Sequence, residues 1–185
     1  MSEGFADTLP SLNHDVPKLA AVTPSILRAG QPSKTALAKL SEAGLKSVLT
    51  LRWSSDVLWQ ERQWVMDAGL NYFVIPLTYW TLPTRPQILR FFDILDDRQN
   101  HPILVHCQHG VDRTGMMIAF WRIAREGWTA QQAYDEMKQM GFHKIPMYHF
   151  KFAVFDFAYK WQRWKKRGRG VPEVQGTAVG QDVAE

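Results

Sequence analysis

The feature that constrains this chain most is a short polar segment held between two apolar ones, within its 185 residues. The segment reads His-Cys-Gln-His-Gly-Val-Asp-Arg-Thr-Gly and spans 106–115. The apolar run at 102–105 is typical of a buried strand, and the run at 116–121 is typical of a buried helix. The glycine between them indicates a tight turn. A strand–loop–helix unit of this kind turns successive backbone N–H groups toward one point beside the positive end of a helix.

The side chains of this loop suit nucleophilic chemistry on a bound anion. Arg113 can place two N–H groups on two oxygens of one phosphate, a geometry that lysine cannot copy. The positive surroundings predict that Cys107 is present as a thiolate, which is the nucleophilic form of cysteine. Thr114 is placed to donate its hydroxyl to that sulfur when the sulfur later leaves. The alternative is structural, namely a buried cysteine beside an arginine that caps a helix.

The spacing Cys-x5-Arg-Thr, preceded by His106 and containing Gly110, resembles the signature of the cysteine-dependent protein tyrosine phosphatase superfamily. The segments 28–32, 45–52 and 129–141 resemble small bacterial dual-specificity phosphatases and the atypical plant and fungal ones. This resemblance implies a two-step reaction without a cofactor, in which a cysteinyl-phosphate forms and water then hydrolyses it. No metal site is expected, and the single cysteine excludes an intrachain disulfide.

The resemblance implies a role for each residue of the loop. Cys107 is the nucleophile, Arg113 stabilises the transition states, and Thr114 assists the leaving sulfur. His106 supports the cysteine by hydrogen bonding from behind. The residues expected to bind the phosphate, through backbone N–H groups and the guanidinium, are Gln108, His109, Gly110, Val111 and Arg113.

The chain departs from the superfamily at the general acid. Most members carry an aspartate on a separate loop before the cysteine, whereas the corresponding stretch here, 75–83, contains no carboxylate. Asp112 is the first candidate for a catalytic acid, because some lipid-active members such as myotubularins carry an aspartate at this place. An anchoring role, with the Asp112 carboxylate paired to a neighbouring cation, is the alternative. Asp56, expected in the loop after the second strand, is a further candidate.

The rest of the chain predicts a single α/β domain. Apolar runs typical of strands alternate with segments of helical periodicity, and three helices follow the loop. We expect a mostly parallel sheet of about four to five strands flanked by helices, with right-handed crossovers. Binding sites gather at the carboxyl ends of such strands, where Cys107 falls. Residues 1–23 are expected to form an N-terminal arm, 24–167 the phosphatase domain and 168–185 a disordered tail.

Composition limits the partners and the location. The formal net charge of +4 is modest, and no nucleic-acid-binding motif is present, so nucleic acid is not expected. The last helix is basic and aromatic on two faces, which predicts either a weak peripheral contact with a membrane or burial under the arm. The sequence contains no recognisable secretory signal and no membrane-spanning run, and a thiolate catalyst suits a reducing compartment. We therefore expect a cytoplasmic protein.

These features favour one function over two others. The leading hypothesis is a phosphomonoester phosphatase that acts on phosphorylated proteins or on phosphoinositides and inositol phosphates. Asp112 and the basic last helix lean slightly toward the lipid or inositol substrates. The alternative is a phosphate-recognising binding module with weak catalysis, which the missing upstream carboxylate favours. Sulfur transfer, as in rhodaneses, is disfavoured by the Arg-Thr ending of the loop.

Overall fold

The computed structural model describes residues 15–143 and 145–166, which form a five-stranded sheet packed between two groups of helices. The strands are β1 (Ala20–Thr23), β2 (Ile26–Ala29), β3 (Ser47–Thr50), β4 (Asn71–Val74) and β5 (Ile103–His106). The α-helices are α1 (Lys34–Glu42), α2 (Ser55–Asp67), α3 (Arg85–Asp96), α4 (Asp112–Trp121), α5 (Ala130–Gln139) and α6 (Tyr148–Lys166). A 3₁₀ turn (Arg98–Asn100) precedes β5, and a π-helical turn (Arg122–Glu126) extends α4. The predicted fold class is confirmed.

The sheet places the catalytic strand at its centre. The strand order is β1-β2-β5-β3-β4, and β5 pairs in parallel with both β2 and β3. At the carboxyl end of the sheet, His106 lies between Ala29 on one side and Thr50 on the other. Cys107 therefore leaves the sheet at the middle of the edge where parallel strands gather their binding sites.

Strand β1 corrects the expected boundary of the N-terminal arm. It lies inside the range 1–23, yet it pairs antiparallel with β2. Earlier still, Val16 is fully buried, and the carbonyl of Pro17 accepts a 2.6 Å hydrogen bond from Gly30. The folded part thus begins before residue 24. The strand was missed because it is short and half alanine, a residue depleted from strands. Residues 1–14 and 167–185 lie outside the described residues, so the rest of the arm and the tail stay predictions.

The helices begin where the sequence supplies a cap. The Ser33 hydroxyl accepts from the backbone of Ala36 at the start of α1. Thr84 and Thr129 form capping boxes at the starts of α3 and α5, each with the glutamine three residues later. Such a cap contributes about 1 kcal/mol to helix stability. Ser33, Thr84 and Thr129 therefore mark three helix starts that are recognisable in the sequence itself.

Successive side chains of each strand point to opposite faces of the sheet, so the core consists of two clusters. Leu27, Val48 and Leu104 pack with the apolar residues of α1 and α2 on one face of the sheet. Ile103 and Val105 belong to the larger cluster, which α3 to α6 complete on the other face. Every residue of α4 is buried. Because α4 follows the loop directly, its burial holds the carboxyl end of the loop in place.

Candidate active site

The loop between β5 and α4 brings all the predicted phosphate-site residues into one turn. Cys107 is only 2% exposed. Gln108 and His109 are exposed, whereas the residues from Gly110 to Thr114 are buried. The nucleophile therefore lies at the bottom of the turn, and the second and third residues of the turn face solvent.

Gly110 is the position at which the loop touches the sheet. Its φ of +72° lies in the left-handed region, which glycine adopts without strain. A Cβ atom at this position would lie 2.3 Å from the carbonyl carbon of Ala29 and 2.4 Å from the nitrogen of Gly30. No side chain fits there, so glycine is required both by the turn and by the close approach of β2.

Arg28 supports the loop from beneath. Its Nη2 donates to the carbonyl of Gly110 at 3.1 Å, and its Nη1 lies 3.8 Å from Oε2 of Glu136. Burial lowers the pKa of Arg28, and the negative charge of Glu136 and of the Cys107 thiolate opposes that shift. The guanidinium is thus an internal cation close to the catalytic sulfur. Arg28 therefore pairs within the fold and does not reach the exposed rim of the site.

Arg113 is held by one side of its guanidinium only. Nη1 donates to the carbonyls of Leu51 and Leu77 at 3.3 and 3.0 Å, and the guanidinium carbon lies 4.1 Å from the ring centroid of Tyr79. Within the described part of the chain, the buried Nε and Nη2 have no hydrogen-bond partner. These two atoms form the side of the guanidinium that binds two oxygens of a phosphate. Thr114 is likewise buried, with its hydroxyl unpartnered among the described residues.

His106 links the nucleophile to a buried carboxylate that the sequence did not reveal. Its Nδ1 donates to the carbonyl of Cys107 at 3.0 Å, and its Nε2 lies 3.1 Å from Oε1 of Glu61 on α2. Oε2 of Glu61 accepts from the hydroxyl of Tyr72 at 2.8 Å. Burial pushes the pKa of Glu61 upward, but the His106 contact and the hydrogen bonds outweigh burial and lower the pKa from its ordinary value. Glu61 therefore holds the His106 ring in place behind the loop.

Asp112 contacts a residue from the far side of the active-site turn. Its Oδ1 accepts from the backbone N–H of His143 at 3.0 Å, and its Oδ2 accepts from Nδ1 of the same residue at 2.9 Å. The Asp112 side chain is 4% exposed and that of His143 is 54% exposed. This contact fits the anchoring alternative, and an acid role for Asp112 stays a prediction. Asp56 lies exposed in the first turn of α2, not in a loop as expected.

The segment 75–83, which lacks a carboxylate, nevertheless contacts the active-site loop. The hydroxyl of Tyr79 donates to Oε1 of Gln108 at 3.1 Å, and Nε2 of His149 donates to the Tyr79 carbonyl at 2.8 Å. Because the Tyr79 ring also stacks on Arg113, this segment forms one wall of the opening above the loop.

Residues 13–152 match the family model described as "DSP-PTPase phosphatase fused to NAD+ Kinase". The chain belongs to this family. The resemblance to the cysteine-dependent protein tyrosine phosphatase superfamily, of the dual-specificity type, is thereby confirmed.

Two curated relatives and one solved structure illustrate the likeness. "Dual specificity protein phosphatase TpbA" of Pseudomonas aeruginosa is 29% identical over 134 residues, covering 72% of this chain and 56% of TpbA. "Inositol diphosphatase DSP4" of Arabidopsis thaliana is 26% identical over 157 residues, covering 81% of this chain and 75% of DSP4. The core catalytic domain of the PP-IP phosphatase SIW14 from S. cerevisiae has the same fold, with a TM-score of 0.64 and 21% identity over 82% of this chain and 93% of that one. The chain spans little more than half the length of TpbA.

Within this member of the family, two polar partners of the loop were not predicted. Glu61 had a signal in the sequence, since it lies four residues before Val65 on the buried face of α2, where a carboxylate is unusual. His143 lies in an irregular segment without periodicity and had none. Among the described residues, no cluster of three or more histidine, cysteine or acidic side chains is arranged to hold a metal, and no helix is long and apolar enough to span a bilayer.

Proposed function

We propose that this chain is a phosphomonoester phosphatase of the dual-specificity type that works through a cysteinyl-phosphate intermediate. The observation that carries this proposal is that Nε and Nη2 of Arg113 are buried and have no partner among the described residues, in a loop that also presents Cys107. Two unpaired N–H groups in a buried place are costly unless a ligand accepts from them. A tetrahedral oxyanion bound at the loop satisfies both at once.

The mechanism follows from the positions of the loop residues. The thiolate of Cys107 attacks phosphorus, and the bond to the leaving oxygen breaks. The loop N–H groups and Arg113 stabilise the equatorial oxygens in the transition state. Water then attacks the cysteinyl-phosphate, and the hydroxyl of Thr114 donates to the departing sulfur. Arg28 adds a fixed positive charge close to the sulfur on its buried side.

The substrate is a phosphorylated protein or an inositol phosphate or phosphoinositide. TpbA is named a dual-specificity protein phosphatase and DSP4 an inositol diphosphatase, so both classes are represented among the relatives. A side-by-side measurement of kcat/KM for a phosphotyrosine peptide and for a diphosphoinositol phosphate would rank them. The alternative, a phosphate-recognising module with weak catalysis, predicts binding of both without appreciable release of phosphate.

A weak peripheral contact with membranes through α6 is a secondary proposal. Phe152 and Tyr159 are 57% and 60% exposed on this basic helix. Aromatic and basic side chains together favour an anionic membrane surface. Co-sedimentation with vesicles containing phosphatidylserine should detect binding that salt weakens, and Phe152→Ser should reduce it. Retention on neutral vesicles alone would contradict the electrostatic part of this proposal.

The central experiment is turnover of p-nitrophenyl phosphate by the purified protein, followed by rapid acid quench. We expect steady release of p-nitrophenol and a phosphoryl group on Cys107, located by mass spectrometry of the quenched chain. Turnover without phosphorylation of Cys107 in the quenched samples would contradict the covalent mechanism. Binding of vanadate without any turnover would favour the binding module instead.

A further inference from the structure

The pair formed by Asp112 and His143 occupies the place where a proton donor is needed. We propose that His143 is the general acid of the first chemical step, and that Asp112 is the positioning residue that holds its imidazole. This inference rests on the proposed phosphatase function. It supplies the general acid that is missing from the stretch 75–83, because that stretch contains no carboxylate that could protonate the leaving group.

The contacts of Asp112 argue against a direct role for its carboxylate. Both oxygens accept hydrogen bonds from His143, one from the backbone N–H at 3.0 Å and one from Nδ1 at 2.9 Å. Both oxygens of the carboxyl group are thus engaged by His143 and are not directed at a substrate. With 4% exposure, the Asp112 side chain is also covered, while His143 is 54% exposed. The exposed end of the pair is therefore the imidazole.

The contact with Asp112 determines which nitrogen of the His143 imidazole can donate a proton to the leaving group. Nδ1 points to Asp112, so Nε2 lies on the opposite side of the imidazole. The ring centroid of His143 is 6.2 Å from that of His109, with the rings edge to face. His109 is the second residue after Cys107 and is exposed. His143 thus stands beside the opening of the phosphate-binding turn.

The geometry of phosphoryl transfer places the leaving group on this side. The attacking and leaving atoms lie roughly in line through phosphorus. Since Cys107 lies at the buried end of the turn, the leaving oxygen points outward, toward the opening. The described side chains at this opening that are able to donate a proton include Tyr79, His109 and His143. The Tyr79 hydroxyl already donates to Gln108.

His143 differs from His109 in having a carboxylate behind it. A carboxylate on Nδ1 fixes the orientation of an imidazole and stabilises its protonated form, which is the form that donates from Nε2. Among the described residues, the titratable groups in contact with the His143 ring are Asp112 and His109. Lys144 follows in the sequence but lies outside the described residues.

The proposed step balances in protons and electrons. The Sγ thiolate of Cys107 forms a bond to phosphorus, and the bond from phosphorus to the leaving oxygen breaks with its electron pair on that oxygen. The oxygen takes the proton from Nε2 of His143, which becomes neutral. In the second step, neutral Nε2 accepts a proton from the attacking water, the bond from phosphorus to sulfur breaks, and the Cys107 thiolate and the imidazolium of His143 are restored.

The decisive variant is His143→Asn, measured on aryl phosphates whose phenols span a wide range of acidity. The amide nitrogen of asparagine takes the place of Nδ1 and can keep the bond to Asp112, but nothing replaces Nε2. We expect kcat/KM to fall by roughly 10²–10⁴-fold for the least acidic phenols and by less than about tenfold for the most acidic. The basic limb of the pH–rate profile should disappear as well.

His149→Asn is the matched control, because its imidazole also lies near the opening but donates from Nε2 to the Tyr79 carbonyl. This variant should keep the leaving-group dependence and the basic limb of the wild type. A second test uses His143→Ala with added imidazole, which should restore part of the turnover of poor leaving groups. Thermal unfolding of each variant reports on its folding.

Equal losses across the series in His143→Asn, with the basic limb intact, would overturn the inference and return the acid role to Asp112 or solvent. Failure of imidazole to rescue His143→Ala, although that variant is folded, would also count against it. Neither result touches the proposed function, which fails only if the wild-type protein does not turn over any of these phosphates.

Discussion

The buried floor of the active site and its exposed mouth are built in different ways. The floor consists of Arg28, Glu61, His106, Cys107 and Arg113, all 2% exposed or less. The mouth consists of Tyr79, His109 and His143, which are partly or fully exposed. Strand pairing and core packing fix the floor, whereas side chains from separate loops meet at the mouth. In the proposed reaction, the floor therefore determines whether phosphate is attacked at all, and the mouth determines how the leaving group is protonated.

The sharpest test of the floor is Cys107→Ser, for which we expect the largest effect. An alcohol does not ionise at neutral pH, so turnover should fall by about 10⁴-fold or more. The loop N–H groups and Arg113 are unchanged, so tungstate binding measured by calorimetry should persist. Arg113→Lys should lose both turnover and binding, because a point charge replaces the two-pronged contact. Substantial phosphatase activity in Cys107→Ser would contradict the role of the sulfur.

Gly110→Ala tests whether the floor depends on the contact between the loop and β2. The added Cβ would lie 2.3 Å from the Ala29 backbone, so we expect the free energy of unfolding to fall by about 2–5 kcal/mol from left-handed strain and overpacking together. Activity should be nearly lost. Gly127→Ala is the matched control, since its φ of +73° is nearly the same but, among the described residues, nothing beyond its chain neighbours lies within 4 Å of the added atom. It should cost about 1 kcal/mol, and urea unfolding would separate the two variants.

Glu61→Gln tests the buried contact between Glu61 and His106 through the pH dependence of the free energy of unfolding. The pKa of Glu61 is lowered in the folded state, so its contribution to stability is complete above about pH 4.5 and is lost as the pH falls through the folded-state pKa. We expect the variant to be less stable by about 1–3 kcal/mol at neutral pH. The difference from the wild type should shrink in acid. A constant difference from pH 7 down to pH 3 would contradict the ionised pair with His106.

His109→Ala tests the mouth and should have the smallest effect. The residue is exposed and serves the phosphate through its backbone N–H, which alanine retains. We expect stability to change by less than about 0.5 kcal/mol and kcat/KM to change only a few-fold. Measured on the same aryl phosphate series, a large loss confined to poor leaving groups would place the proton donor at His109 and not at His143.

The same division explains what could be predicted from the sequence. Apart from β1, the order of helices and strands and the residues of the loop follow from local periodicity, caps and the motif, as Ser33, Gly110 and Thr129 show. The contacts of Glu61 with His106 and of His143 with Asp112 join residues that are distant in the chain. A single sequence contains no signal for such pairings, because they result from how the helices pack.

The strand order determines the stage of folding at which the surroundings of Cys107 are assembled. The bond from Arg28 to the carbonyl of Gly110 joins residues 82 positions apart, and β5 pairs with β2 as well as with β3. Pairings this distant in sequence form slowly, since the loop between them must first close. During synthesis and refolding, Cys107 therefore lacks Arg28 and the closed turn that surround it in the native fold. The active-site turn is assembled only once the sheet that buries the sulfur is complete.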